Sequence, residues 1–200
     1  MERKWVIAAF LDISGFRSWT YRAATAPEIK AQFLKEFYDV LQEYVRTQND
    51  RWSKYEGDAI ITAREFTLEE RHDQQQVLDF VISLRSLLRK AQGVLRQCES
   101  PPDGVRIRIM EGYVYKFMVL DPNDPERKRR IPEYVEYVTN TLRGLLGVNP
   151  EHPCLATAGV AKSLGRAGSI FRMRPLEKPS HYPKGVNRED VDGLQILKFT

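Results

Sequence analysis

Phe10-Leu11-Asp12-Ile13-Ser14-Gly15-Phe16 is the stretch on which the fold turns. An apolar run from Trp5 to Leu11 stops at a lone carboxylate, a Ser-Gly pair follows, and helix-forming sequence comes after it. A buried strand that carries an Asp to its C-terminal end, beside a turn with free backbone N–H groups, suits a divalent metal ion and a phosphate. Tyr55-Glu56-Gly57-Asp58-Ala59-Ile60-Ile61 has the same character: a Gly-Asp turn leading into an apolar strand. Asp12 and Asp58, on neighbouring strand ends, can share one or two metal ions. Singly, each piece reads equally well as a capped turn at a strand end. Their order and spacing give them weight together.

The bulk numbers leave that chemistry open. A chain of 200 residues, 42% hydrophobic and 29% charged, is ordinary for one soluble domain spanning 1–200. No window approaches eighteen uncharged apolar residues, so no membrane span is expected, and the N-terminus lacks a signal-peptide pattern. Cys98 and Cys154 are too few and too scattered for a disulfide framework or a zinc site. A cytoplasmic protein with free thiols is expected. The net charge of +4 and pI of about 9.0 allow polyanionic ligands. The dense run Arg127-Lys128-Arg129-Arg130 sits in a Pro/Asp-rich loop and reads as a solvated surface, so no nucleic-acid partner is expected. His72, His152 and His181 are scattered and receive no catalytic role; Trp5, Trp19 and Trp52 read as core or dimer contacts.

Lys4 to Leu11 reads as a strand buried on both faces. Pro27-Glu28 opens a helix whose apolar face is Ile29, Phe33, Phe37, Val40, Leu41, Tyr44 and Val45, ending at Asn49-Asp50. Arg51–Tyr55 and Ala59–Arg64 read as a hairpin around Gly57-Asp58. A second helix starts near Thr67, with Glu69 and Glu70 in its first turn and Val77, Phe80, Val81, Leu84, Leu87, Leu88 and Leu95 on its core face. Val105 to Val119 is a long strand, Pro132 to Leu146 has helical spacing, and Leu155–Val160 and Ile170–Met173 read as short strands. A Pro-rich excursion from Leu176 to Asn187 precedes a closing strand, Gly193–Phe199. The order is that of an α+β, ferredoxin-like βαββαβ core with an extra C-terminal α-β extension. In that order the first strand and the hairpin lie side by side, which lets Asp12 and Asp58 face one site.

At this point the sequence resembles the class III nucleotidyl cyclases, the adenylate and guanylate cyclase catalytic domain. The family's F-x-D-I-x-G-F is matched by residues 10–16, its adenylate-type hairpin K-x-x-G-D by Lys54-Tyr55-Glu56-Gly57-Asp58, and its later R-I-x-I-x-x-G by Arg106-Ile107-Arg108-Ile109-Met110-Glu111-Gly112. The likeness covers roughly residues 5 to 165. The third element, G-D-x-V-N-x-x-x-R, is altered: over 135–143, Val135 stands for Gly, Glu136 for Asp and Thr139 for Asn, while Arg143 matches. A shift by one restores Asn140 and loses the Arg. The placement that keeps the cation is preferred, because charge growing on an α-phosphate needs a fixed guanidinium.

The resemblance implies that Asp12, Asp58 and the Ile13 carbonyl bind two Mg²⁺ or Mn²⁺ ions. It implies that backbone N–H groups of Ser14, Gly15 and Phe16 cradle the β/γ-phosphates of a nucleoside triphosphate. Arg143 and Thr139 would serve the α-phosphate, and Lys184 the phosphates, with Lys178, Arg172 and Arg174 competing for that last role. Such cyclases are head-to-tail dimers, so a homodimer with interface sites is expected. Base choice falls on Lys54, Tyr55 and Glu136. A donor beside an acceptor fits adenine, cytosine or uracil better than guanine. Bulky Tyr55, Tyr134, Val135 and Tyr137, and an organisation like the bacterial pyrimidine cyclases of antiphage Pycsar systems, lean towards UTP, then CTP, with cyclic UMP read by a separate effector protein. Lys54 argues for ATP. The rivals are a ferredoxin-like binding module, which leaves the two Asp residues unexplained, and another two-metal enzyme such as a diguanylate cyclase or polymerase palm.

Overall fold

A computed structural model describes residues 2–48, 51–67, 74–121, 123–126, 128–135, 137–165 and 171–199. The strands are β1 (Glu2–Ser14), β2 (Trp52–Glu56), β3 (Ala59–Phe66), β4 (Gly104–Leu120), β5 (Arg130–Val135), β6 (Cys154–Ala156), β7 (Phe171–Pro175) and β8 (Gln195–Phe199). The helices are α1 (Phe16–Thr20), α2 (Pro27–Thr47), α3 (Gln74–Gln97), α4 (Tyr137–Leu145), α5 (Ala158–Leu164) and α6 (Arg188–Asp192). One eight-stranded sheet runs β2-β3-β1-β4-β6-β8-β7, with β5 added to β4. β1 lies antiparallel between β3 and β4, the split order of a ferredoxin-like core. β6, parallel to β4, carries the sheet into the C-terminal extension.

The unbroken apolar run of β1 follows from its central place. Ile7, Ala9, Leu11 and Ile13 point into a core with α2 and α3 residues such as Phe33, Phe37, Phe80 and Leu84. Val6, Ala8 and Phe10 point the other way, against Val138 and Leu142 of α4. Period-two alternation thus splits one strand between two cores. Trp19, fully buried, stacks edge-on to Phe33 at 5.0 Å and donates its indole N–H to the Ser100 carbonyl at 2.6 Å. It pins α1, which the sequence reading lacks, under the end of β1.

Two expectations change. The stretch from Pro132 to Leu146 is a strand before it is a helix. The pairing of β4 with β1 stops at Lys116, and the backbone of Tyr115–Leu120 takes residues 130–135 as its partner. Pro132 is tolerated there because β5 pairs with β4 alone. Leu155–Val160 is a strand only to Ala156. Gly159 then lets α5 approach Glu111, whose carboxylate oxygen would lie 2.5 Å from any added Cβ. The second long helix is described from Gln74 onward, and its expected start near Thr67 falls against residues 68–73, which lie outside the described residues. Glu69, Glu70, Asn49, Asp50 and Ile170 lie outside the described residues.

Arg108 alternates with apolar neighbours, a pattern that ordinarily puts an Arg in solvent. Here it is fully buried. Its guanidinium donates to main-chain carbonyls of Leu145, Val148, Asn149, His152 and Ile107 at 2.9–3.4 Å. The C-terminal end of α4 and the loop after it are therefore nailed to β4, where a cation also suits the helix dipole. Burial lowers its pKa to about 10, still charged at neutral pH. Arg108→Leu should cost about 3 kcal/mol or more by leaving buried carbonyls without donors. Urea unfolding checks this, and an unchanged midpoint would contradict the role given to Arg108.

Candidate active site

Residues directly opposite across an antiparallel pair point to one face. Glu56 faces Ala59, Ala59 faces Asp12, and Asp12 faces Arg106. Two positions along, Lys54, Ile61, Phe10 and Arg108 form the next row. Ala59, Ile61 and Phe10 belong to the core beneath α4. Asp12, Arg106, Glu56 and Lys54 therefore share the α4 face of the sheet, with Asp58 in the hairpin turn between them. Gly57, at φ 62°, supplies the left-handed step that this turn needs.

Asp12 is held by Arg106, whose Nη2 and Nε donate to its Oδ2 at 2.8 and 3.3 Å; both side chains are 16% exposed. Arg106 Nη1 also donates to the Leu146 carbonyl at 2.8 Å. Burial raises the Asp12 pKa against the opposing pull of Arg106. Asp58 is pushed up to about 6, first by burial and then by the charge of Asp12. Two carboxylates close enough for the charge of one to disfavour ionisation of the other are a donor set that a cation would relieve. The donors are hard oxygens, the chemistry that Mg²⁺ and Mn²⁺ prefer, and Ile13 lies just past the last β1 residue paired to β3. Among the described residues no cluster of three or more His, Cys, Asp or Glu side chains forms. Two carboxylates whose shell is completed by substrate oxygens and water match how Mg²⁺ is held on nucleotides.

The turn after β1 is held closely against Asp103. Gly15 sits at φ 70°, and an added Cβ would lie 2.1 Å from Asp103 Oδ2. Asp103, which the sequence reading passed over, also donates its N–H to the Ser14 carbonyl at 3.1 Å. A cleft of about 700 Å³ opens here, lined by Ser14, Gly15, Arg96, Asp103, Arg106 and Glu151 among others. Phe16 begins α1 and packs on the core beside Trp19.

Arg143 leaves α4 on the same face. It donates from Nε to Glu56 Oε2 at 2.9 Å, from Nη2 to Glu56 Oε1, and from Nη1 to Asn140 Oδ1 at 3.0 Å. Asn140 thus stands beside Arg143 one turn back on the helix, and Thr139 is 7% exposed. Lys54 Nζ donates to Glu133 Oε1 at 2.9 Å. Glu133, not singled out from the sequence, is the acid beside Lys54; Glu136 lies outside the described residues. Tyr55 requires a correction. Alternation turns it to the opposite face, 6.3 Å from the Tyr38 ring of α2, so it does not line a surface with Lys54. Lys184 is exposed, in a segment whose Pro183 and Val186 pack against Gly144, next to Arg143.

No protein-family model and no curated protein sequence matches this chain. Solved structures do. The adenylyl cyclase CyaB from P. aeruginosa superposes with a TM-score of 0.70 at 14% identity, over 100% of this chain and 95% of that one. The guanylyl cyclase Cya2 gives 0.65 at 14%, over 99% and 91%. The guanylate cyclase domain of RhGC from Catenaria anguillulae, in complex with GTP, gives 0.61 at 14%, over 100% and 98%. At such identities the likeness is one of fold, and the fold is that of the class III cyclase domains.

Asp58 binds protons in the folded, metal-free chain up to a pH of about 6, above the 3.8 of an unfolded Asp. Between those values the folded state holds more protons, so stability falls as pH rises through that window. Asp58→Asn should therefore raise the melting temperature of the metal-free protein at pH 7.5 and leave it nearly unchanged at pH 3.5. Equal effects at both pH values would refute the strained carboxylate pair.

Proposed function

We propose that this chain is a nucleotidyl cyclase, converting a nucleoside triphosphate to its 3′,5′-cyclic monophosphate and pyrophosphate. The observation that carries it is the pair Asp12 and Asp58 at one edge of the sheet, both strained by burial and Asp58 also by the charge of Asp12. Asp12, Asp58 and the Ile13 carbonyl would hold two Mg²⁺ or Mn²⁺ ions, which when bound lower the pKa of the ribose 3′-hydroxyl and offset the triphosphate charge. The 3′ oxygen attacks the α-phosphorus as the bond to pyrophosphate breaks. Arg143 meets the charge that builds on the α-phosphate, with Thr139 donating a further hydrogen bond. Backbone N–H groups from Ser14 to Phe16 receive the β/γ-phosphates, and Lys184, exposed on the segment packed against α4, is a further cation for them. The binding-module alternative gives the carboxylate pair no purpose.

For the base, Lys54 donates beside an acid, Glu133 in the structure and Glu136 by the resemblance, an arrangement suited to uracil, cytosine or adenine. The finer proposal is a pyrimidine nucleotide, UTP ahead of CTP. Large Tyr134, Val135 and Tyr137 in the sequence support it; Tyr55, turned towards α2, no longer does. Lys54 favours ATP as the second reading. We assign the product to antiphage signalling in the cytoplasm through a separate effector, on the likeness to pyrimidine cyclases. No helix of the described residues is long and apolar enough to cross a membrane.

The sites would form in a head-to-tail homodimer, Asp12 and Asp58 from one subunit and Arg143 from the other. Asp12→Asn should abolish cyclic nucleotide formation, and Arg143→Ala should slow it by about 10²–10³-fold. Mixing the two inactive variants should restore about a quarter of wild-type activity, because half the randomly mixed dimers carry one intact site. Full activity in Asp12→Asn would sink the metal site, and no restoration on mixing would sink the shared one.

A further inference from the structure

The resemblance leaves position 56 open, a free x in K-x-x-G-D, yet the structure gives it a specific partner. Glu56 takes two N–H groups of Arg143, Nε on Oε2 and Nη2 on Oε1, the fork geometry that fixes a guanidinium plane. Asn140 takes a third from Nη1. A guanidinium has five N–H donors. One on Nη1 and one on Nη2 remain, the pair available to a phosphate oxygen. Glu56 itself is held: it ends β2, is paired to Ala59, and its side chain is 21% exposed against 45% for Arg143.

We infer that Glu56 is a positioning residue for Arg143: its carboxylate fixes the guanidinium plane, with Asn140 as the second stop, so that the two remaining N–H groups face the α-phosphate of the substrate. An unrestrained Arg side chain samples many rotamers and must be ordered in each turnover; a forked one has been ordered by the fold. A carboxylate beside the cation tempers its charge and leaves those two donors in place. This inference rests on the cyclase reading above.

The test is a double-mutant cycle in kcat with Glu56→Ala, Arg143→Ala and the double variant, and Glu56→Gln as the conservative rescue. Glu56→Ala should lower kcat about tenfold to a hundredfold, the usual scale for losing an orienting partner, with KM changed little. It should add nothing in the Arg143→Ala background. Glu56→Gln, which keeps one acceptor, should recover part of the loss. Mn²⁺ affinity, measured by electron paramagnetic resonance on the purified variants, should match wild type, showing that Asp58 two residues away is undisturbed. An equal loss in both backgrounds would overturn the inference, as would a fall in Mn²⁺ affinity that accounts for the lost rate. A rise in kcat on Glu56→Ala would overturn it too, making the carboxylate a latch. If the wild-type protein forms no cyclic nucleotide, the cyclase reading fails first and this inference falls with it; an active wild type with no Glu56 effect overturns this inference alone.

Discussion

β1 is hydrogen-bonded along both edges and buried on both faces, and this constraint orders everything else. A strand so enclosed cannot slip by a residue without exchanging its two apolar sets. The side of the sheet on which Asp12 emerges is therefore as firmly set as the core itself. A carboxylate at the end of such a strand is expensive unless a cation answers it. In the isolated chain that cation is Arg106, itself tied to the Leu146 carbonyl at the end of α4. The arrangement links the Asp pair to α4 through one guanidinium.

The charges on the α4 face follow a consistent pattern. Arg106 answers Asp12, Glu56 answers Arg143, and Glu133 answers Lys54. Ionisation of Asp58 is disfavoured by burial and by the charge of Asp12, and burial disfavours that of Asp12 as well. A dication entering between Asp12 and Asp58 would relieve that strain. Arg108 contributes from beneath, clamping the C-terminal carbonyls of α4 so that the helix carrying Arg143 has a fixed base.

The legible part of this was the part written in strong periodicity. Residues 5–11 announced a doubly buried strand, and the apolar faces of α2 and α3 fell where spacing put them. The hairpin register followed from Gly57-Asp58, and with it the shared edge for Asp12 and Asp58. What was not legible depended on pairing at a distance. Residues 132–135 look helical until β4 is seen to extend past β1 and to need a partner. Tyr55 looks adjacent to Lys54 along the chain, and alternation sends it to the opposite face. Glu56 and Glu133 were given no role, because each is an ordinary surface-type residue until the fold sets it against Arg143 or Lys54, and Asn140 was passed over for the placement that keeps Arg143. Arg108 was hidden for the converse reason: alternation gives no warning that a loop will fold its carbonyls over a strand residue.

The most direct measurement is product identification. Purified wild-type protein with Mn²⁺ would be given ATP, GTP, CTP and UTP separately, and the products identified by mass spectrometry. The function proposed here calls for a 3′,5′-cyclic monophosphate and pyrophosphate, with cyclic UMP foremost. Cyclic AMP instead would show that Lys54 decides the base and that the large residues of 134–137 do not. No cyclic product from any of the four would contradict the assignment of Asp12 and Asp58 to nucleotide chemistry.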